Sequence, residues 1–142
     1  MNLSDEDIDE IRASYIHLSS KQQRAGDVFY EKLFEIAPDT RELFVLDIDA
    51  QSTKLMSTLG LVVSQLQNTH DLEPIVRDLA LRHLAYGVEA SHYEFVGPAL
   101  LAMLPVLLGE KNKPETIAAW RRAYEGLSNF MIEAAYPSEG KV

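Results

Sequence analysis

Apolar residues recur along the chain at intervals of three and four, the spacing of one helical face, and alternating β-branched runs are absent. Ser4-Asp5-Glu6-Asp7 resembles a capping box with Asp in place of Glu. It opens a first helix in which Ile8, Ile11, Tyr15 and Leu18 share a face. A second helix is predicted from about Lys21 to Ala37, with Gly26, Phe29, Tyr30, Leu33, Phe34 and Ala37 inward. Gly26 costs a helix interior about 1 kcal/mol against Ala, so it implies close approach of another helix. Pro38 starts a short third turn, Asp39 to Phe44, and Val45 to Ala50 reads as a loop.

A fourth helix spans roughly Ala50 to Gln67 with Leu55, Leu59, Val62, Val63 and Leu66 as its stripe. Gln51 sits one turn before Leu55. A fifth helix, about Leu72 to Tyr86, is capped by Asp71 or a neighbour, admits Pro74 in its first turn and is ended by Gly87. Its inner face is Val76, Leu79, His83 and then Tyr86 and Gly87, so a histidine stands where leucine is expected. Ser91 can cap a sixth helix, His92 to Leu108, with Val96, Leu100 and Leu104 inward, a bend at Pro105 and a stop at Gly109. Pro114 opens the last helix, where Ile117, Trp120, Tyr124, Leu127 and Met131 form the stripe, and Pro137 ends it. The expectation is an all-α fold of about seven helices in one domain, 1–137, followed by a short polar tail, 138–142.

Composition narrows the chemistry. The absence of cysteine excludes disulfides, thiolate metal sites and a cysteine nucleophile, and it fits a reducing, cytoplasmic location. The acidic start is unlike a signal peptide. The longest apolar stretch, Ala99 to Leu108, falls short of the roughly 20 residues that span a bilayer. A net charge of −9 with scattered Lys and Arg disfavours nucleic acid and anionic membrane as partners.

On its own, His83 has three readings: a core histidine bonded to a carbonyl, a half-wet edge residue, or a ligand to a buried metal or haem iron. His17, His70 and His92 make no i, i+3 or i+4 pair, so a histidine zinc site is unsupported. Tyr30 and Gln51 also interrupt apolar faces, and each taken alone reads as an ordinary core aromatic or an exposed first-turn residue. No Gly-rich phosphate loop and no G-x-S-x-G turn is present.

Four motifs tie these residues together: Phe29-Tyr30-Glu31-Lys32-Leu33-Phe34; Glu42-Leu43-Phe44; Arg82-His83, Gly87-Val88, His92-Tyr93, Val96-Gly97 and Leu100-Leu101 in series; and Ala119-Trp120 with Ala123-Tyr124. In these the chain resembles the globins, specifically bacterial single-domain globins and the haem domain of flavohaemoglobins. The resemblance implies a three-on-three helical sandwich without a separate D helix, and haem b (iron protoporphyrin IX) as cofactor. It makes His83 the proximal iron ligand, Phe44 the phenylalanine against the haem, and Tyr30 and Gln51 the distal pair with Leu55 over the iron. Tyr93 falls beside the proximal histidine, and Val88, Val96, Leu100 and Tyr124 at pocket-lining positions.

Two departures follow from the same alignment. The flavohaemoglobin glutamate on the last helix falls at Ala135, with Glu133 offset by two residues onto another face, and a globin without a flavin or nicotinamide domain is the expectation. Through the distal pair Tyr30 and Gln51 the resemblance implies high-affinity oxygen binding with slow release, and the missing glutamate favours reversible binding. The alternative is a nitric oxide dioxygenase served by a separate reductase, and a haem-free helical module is a third class. Dioxygen, nitric oxide and carbon monoxide are the implied ligands.

Overall fold

The computed structural model describes residues 3–44 and 47–136. Six α-helices carry the fold: α1 Asp5–Ser19, α2 Gln22–Ile36, α3 Ile48–Ser64, α4 Thr69–Ala85, α5 Tyr93–Leu108 and α6 Pro114–Ala135. Short 3-10 helices stand at Pro38–Leu43, Ala90–His92 and Gly109–Lys111. No strand occurs among the described residues, so the chain is all-α.

Helix α2 packs across α3 and α5, α4 lies on α6, and α1 closes the assembly against α6 and α3. Helices α3 and α4 scarcely touch each other. At the centre is α5, with Gly97, Ala99, Leu100, Met103, Leu104, Leu107 and Leu108 buried. The helical stretch Ala90–Lys111 is long and apolar enough to cross a membrane by length and composition. Here that apolarity is spent on the core.

Helices α1 and α6 are joined by polar contacts. Ser4 Oγ accepts from the Asp7 N–H at 3.0 Å and the Asp7 carboxylate takes the Ser4 N–H at 3.2 Å, completing the capping box with Asp. The same carboxylate receives two bonds from Arg122 on α6, at 3.0 and 2.6 Å.

Close approach of α2 and α3 explains Gly26: a Cβ there would lie 2.4 Å from Ser52 Cβ. Gly60 is the counterpart between α3 and α1. The Tyr15 hydroxyl fills the place its Cβ would take and donates to the Met56 carbonyl at 2.9 Å.

Several element ends differ from the sequence expectation. Helix α3 begins at Ile48, two residues early, because Asp47 caps it by accepting from the Ala50 N–H at 2.8 Å. It also stops at Ser64 rather than Gln67. Its deepest face is Ser52, Met56, Val62 and Val63, leaving Leu55 and Leu59 half-buried. Helix α4 starts at Thr69, so Pro74 lies inside the helix rather than in the first turn. Its buried face is Leu72, Val76 and Ala80; Tyr86, expected inward, is 62% exposed. Ser91 is not a cap. Glu89 stands at that boundary, and its N–H donates to His92 Nδ1 at 2.8 Å. Helix α5 continues through Pro98 and Pro105. Val45 and Leu46 of the expected loop, the stop at Pro137 and the tail lie outside the described residues.

Candidate functional site

The histidine side of the candidate site is built at the end of α4. The His83 Nδ1 lies 2.7 Å from the Leu79 carbonyl oxygen. A carbonyl can only accept, so Nδ1 is the donor in this bond, and in the neutral ring the lone pair then sits on Nε2. The helix then ends in a Schellman closure: the Val88 N–H donates to the His83 carbonyl at 3.0 Å and the Gly87 N–H to the Leu84 carbonyl at 3.1 Å. Gly87 has φ = +90°, a conformation that favours glycine over any side chain. Tyr136, just past α6, donates its hydroxyl to the Val88 carbonyl and so pins this turn.

The chain returns from the turn with Tyr93, whose ring centre is 6.3 Å from that of His83 and tilted by 30°. Burial and the adjacent Tyr136 hydroxyl push the Tyr93 pKa up to about 12. Its hydroxyl is buried and has no hydrogen-bond partner among the described residues. Tyr124 donates to the Tyr93 carbonyl at 2.7 Å and lays its ring over Gly97, where a Cβ would come within 2.9 Å of two ring carbons. Glu133 is exposed and Ala135 buried. Neither is a proton acceptor for the histidine, whose Nδ1 partner is a neutral carbonyl.

An aromatic cluster forms around Tyr30. Tyr30 on α2 meets Phe29 edge-on at 5.0 Å, Phe44 edge-on at 5.1 Å and Phe34 in a stacked contact at 5.9 Å. Phe34 and Phe44 touch at 5.7 Å. Burial alone raises the Tyr30 pKa to about 12, so its hydroxyl stays a protonated donor throughout the physiological range. The Leu43 side chain, next to Phe44, comes within 4.0 Å of the Gly87 Cβ position. The aromatic cluster and the proximal turn therefore border each other.

Gln51 and Leu55 lie one turn apart on α3, both half-buried. No contact joins Gln51 to Tyr30 directly; they share the α2–α3 layer. Val88 and Val96 are half-buried and Leu100 is buried. Sequence reading missed Tyr136, Ser52 and Asp27. A terminal aromatic just beyond the last helical stripe was the available signal for the first, and nothing marked the other two.

Comparison with known proteins identifies the frame. The Globin family model matches residues 27–131. The chain belongs to the globin family. Similar relatives include the flavohemoprotein of Bordetella parapertussis, 32% identical over 107 residues, 73% of this chain and 27% of that protein. The flavohemoprotein of Rhizobium meliloti is 27% identical over 72% of this chain and 26% of its own length. The chain thus spans about a quarter of these flavohemoproteins. Neuroglobin of Tetraodon nigroviridis is 29% identical over 86% of both chains. Among solved structures, an engineered carbene transferase, from a protein assigned as a nitric oxide dioxygenase of Rhodothermus marinus, superposes with a TM-score of 0.84. It is 29% identical, over 94% of each chain.

Globins are haem proteins, and the residues here fit such a group. His83, its Nδ1 bonded to the Leu79 carbonyl, would hold the iron of such a flat, mostly apolar group. The group also needs apolar walls that the protein alone does not cover. Phe44, Leu55, Leu79, Val88 and Val96 are such side chains, packed on the core yet only half-buried. The Tyr93 hydroxyl beside the histidine, without a partner among the described residues, is a buried donor, a rarity when a site is closed by protein alone.

Proposed function

We propose that this globin holds haem b through His83 and binds dioxygen reversibly, with high affinity and slow release. The observation that carries the reading is the His83 Nδ1 bond to the Leu79 carbonyl, which engages one ring nitrogen and leaves Nε2 for the iron. When bound, the haem iron supplies reversible coordination of a diatomic gas.

The chain does the rest. Phe44, Leu55, Val88, Val96, Leu100 and Tyr124 are the pocket-lining positions, and they keep water away from the ligand. Tyr93 packs beside the His83 ring and limits its rotation. Tyr30 and Gln51 donate hydrogen bonds to the partial negative charge on a bound gas. In a water-poor pocket each such bond contributes about 1 to 2 kcal/mol, so together they slow release by roughly one to three powers of ten.

Oxygen equilibrium on the ferrous, haem-loaded protein tests this. Reversible binding with half-saturation far below air levels is the expected result; irreversible oxidation without an oxygenated form would sink the reading.

A second reading is favoured by the likeness to the Rhodothermus marinus protein. Nitric oxide and dioxygen combine to nitrate with one electron, which a separate reductase would deliver. Sustained nitric oxide consumption with a reductase and reduced cofactor, beyond one equivalent, would favour it. Carbon monoxide and nitric oxide are further ligands of the same pocket.

A further inference from the structure

Tyr30 and Gln51 stand on different helices, so they act on one ligand only if α2 and α3 hold a fixed spacing and register. The Gly26–Ser52 contact sets the spacing. An alanine at position 52 would fill that notch as well as serine does, so the hydroxyl has another task. Ser52 is fully buried, and its Oγ donates to Asp27 Oδ1 at 2.8 Å. The same oxygen receives Gln23 Nε2 at 3.0 Å, and Gln23 Nε2 also reaches Asp49 Oδ1 at 3.2 Å.

Gln23 and Asp27 are successive turns of α2, with Tyr30 one turn further on. Asp49 and Ser52 bracket Gln51 on α3. We infer that the Gln23–Asp27–Ser52–Asp49 tie is a positioning device that holds Gln51 against the ligand bound beside Tyr30. The inference rests on the distal reading proposed above. Apolar contacts tolerate sliding, whereas a hydroxyl-to-carboxylate bond is short, directional and charge-assisted. None of the four residues is assigned to the haem pocket; they act through Gln51.

Oxygen dissociation from the ferrous, haem-loaded protein is the test, across Ser52→Ala, Asp27→Ala, Asp27→Asn, Gln51→Leu and the Gln51→Leu, Ser52→Ala double variant. Ser52→Ala and Asp27→Ala should each speed release by roughly two- to tenfold, the span of one hydrogen bond. Asp27→Asn keeps the accepting Oδ1 and should stay within about twofold of the parent. In the Gln51→Leu background, Ser52→Ala should add less than about twofold, because coupled residues are not additive. Amide hydrogen exchange over residues 49–53, read on the same samples, should quicken in Ser52→Ala whatever gas is present. Fast release in Gln51→Leu with an unchanged rate in Ser52→Ala would overturn the tie, and so would a full Ser52→Ala effect in the Gln51→Leu background. An unchanged rate in Gln51→Leu itself would instead fell the distal reading, and the tie with it.

Discussion

Removing one oxygen atom isolates the distal donor. Tyr30→Phe leaves the ring in place, and the ring is what packs on Phe29, Phe34 and Phe44 at 5.0 to 5.9 Å. Burial is the sole cause of the raised Tyr30 pKa, with no hydrogen bond to a protein group contributing. Deleting the hydroxyl therefore strands no partner, and the change in folding stability should stay below about 1 kcal/mol. The loss falls on the ligand. A neutral donor aimed at partial negative charge in a water-poor pocket is worth about 1 to 2 kcal/mol, which converts to a release roughly 5- to 30-fold faster. The assay mixes oxygenated ferrous protein with excess carbon monoxide in a stopped-flow cell and follows replacement. A rate within about twofold of the parent, with the absorption spectrum intact, would refute the reasoning.

Other perturbations probe the frame and the proximal side. Gly97→Ala drives a methyl to 2.9 Å from the Tyr124 ring, so it should destabilise by about 1 to 3 kcal/mol in denaturant titration. Tolerance of that change would mean the α5–α6 contact is looser than described. The bonds from Arg122 hold the Asp7 carboxyl below its ordinary value. A depressed carboxylate pKa stabilises the fold above the unfolded value near 4, and that stability is lost as pH falls through the folded value. Thermal melting of Asp7→Asn should therefore show a lower melting temperature at pH 7 and a flatter fall below about pH 4 than the parent; parallel curves would contradict the pairing. Because the His83 Nδ1 bonds a neutral carbonyl rather than a carboxylate, the imidazole gains little anionic character, and peroxidase turnover should be weak. Robust turnover of a peroxidase dye by the purified protein would count against this.

The helices were legible because their signals are local. The Ser4 cap, the Gly87 stop and the Gly26 notch follow from backbone rules and stand where the sequence places them. Helix starts were less legible: Asp47 competes with Asp49, an equally good cap, and Glu89 stands at a boundary where Ser91 is the better cap by propensity. Periodicity misjudged Tyr86, which is exposed, whereas Leu55 packs on the core while only half-buried. A helical stripe records which residues avoid water, not whether protein or a cofactor covers them. For His83 the residue type and its apolar face were visible early, whereas the Leu79 carbonyl that fixes its tautomer is a matter of geometry. The Asp27–Ser52 bond joins residues 25 apart in sequence, both polar and unremarkable, so no single-sequence signal could have paired them.

Resonance Raman spectroscopy of the ferrous, ligand-free, haem-loaded protein tests the central claim most directly. If His83 Nε2 is the iron ligand, an iron–histidine stretching band is present in the parent, absent in His83→Gly, and replaced by an iron–imidazole band when free imidazole is added to that variant. The same iron–histidine band persisting in His83→Gly would contradict the account.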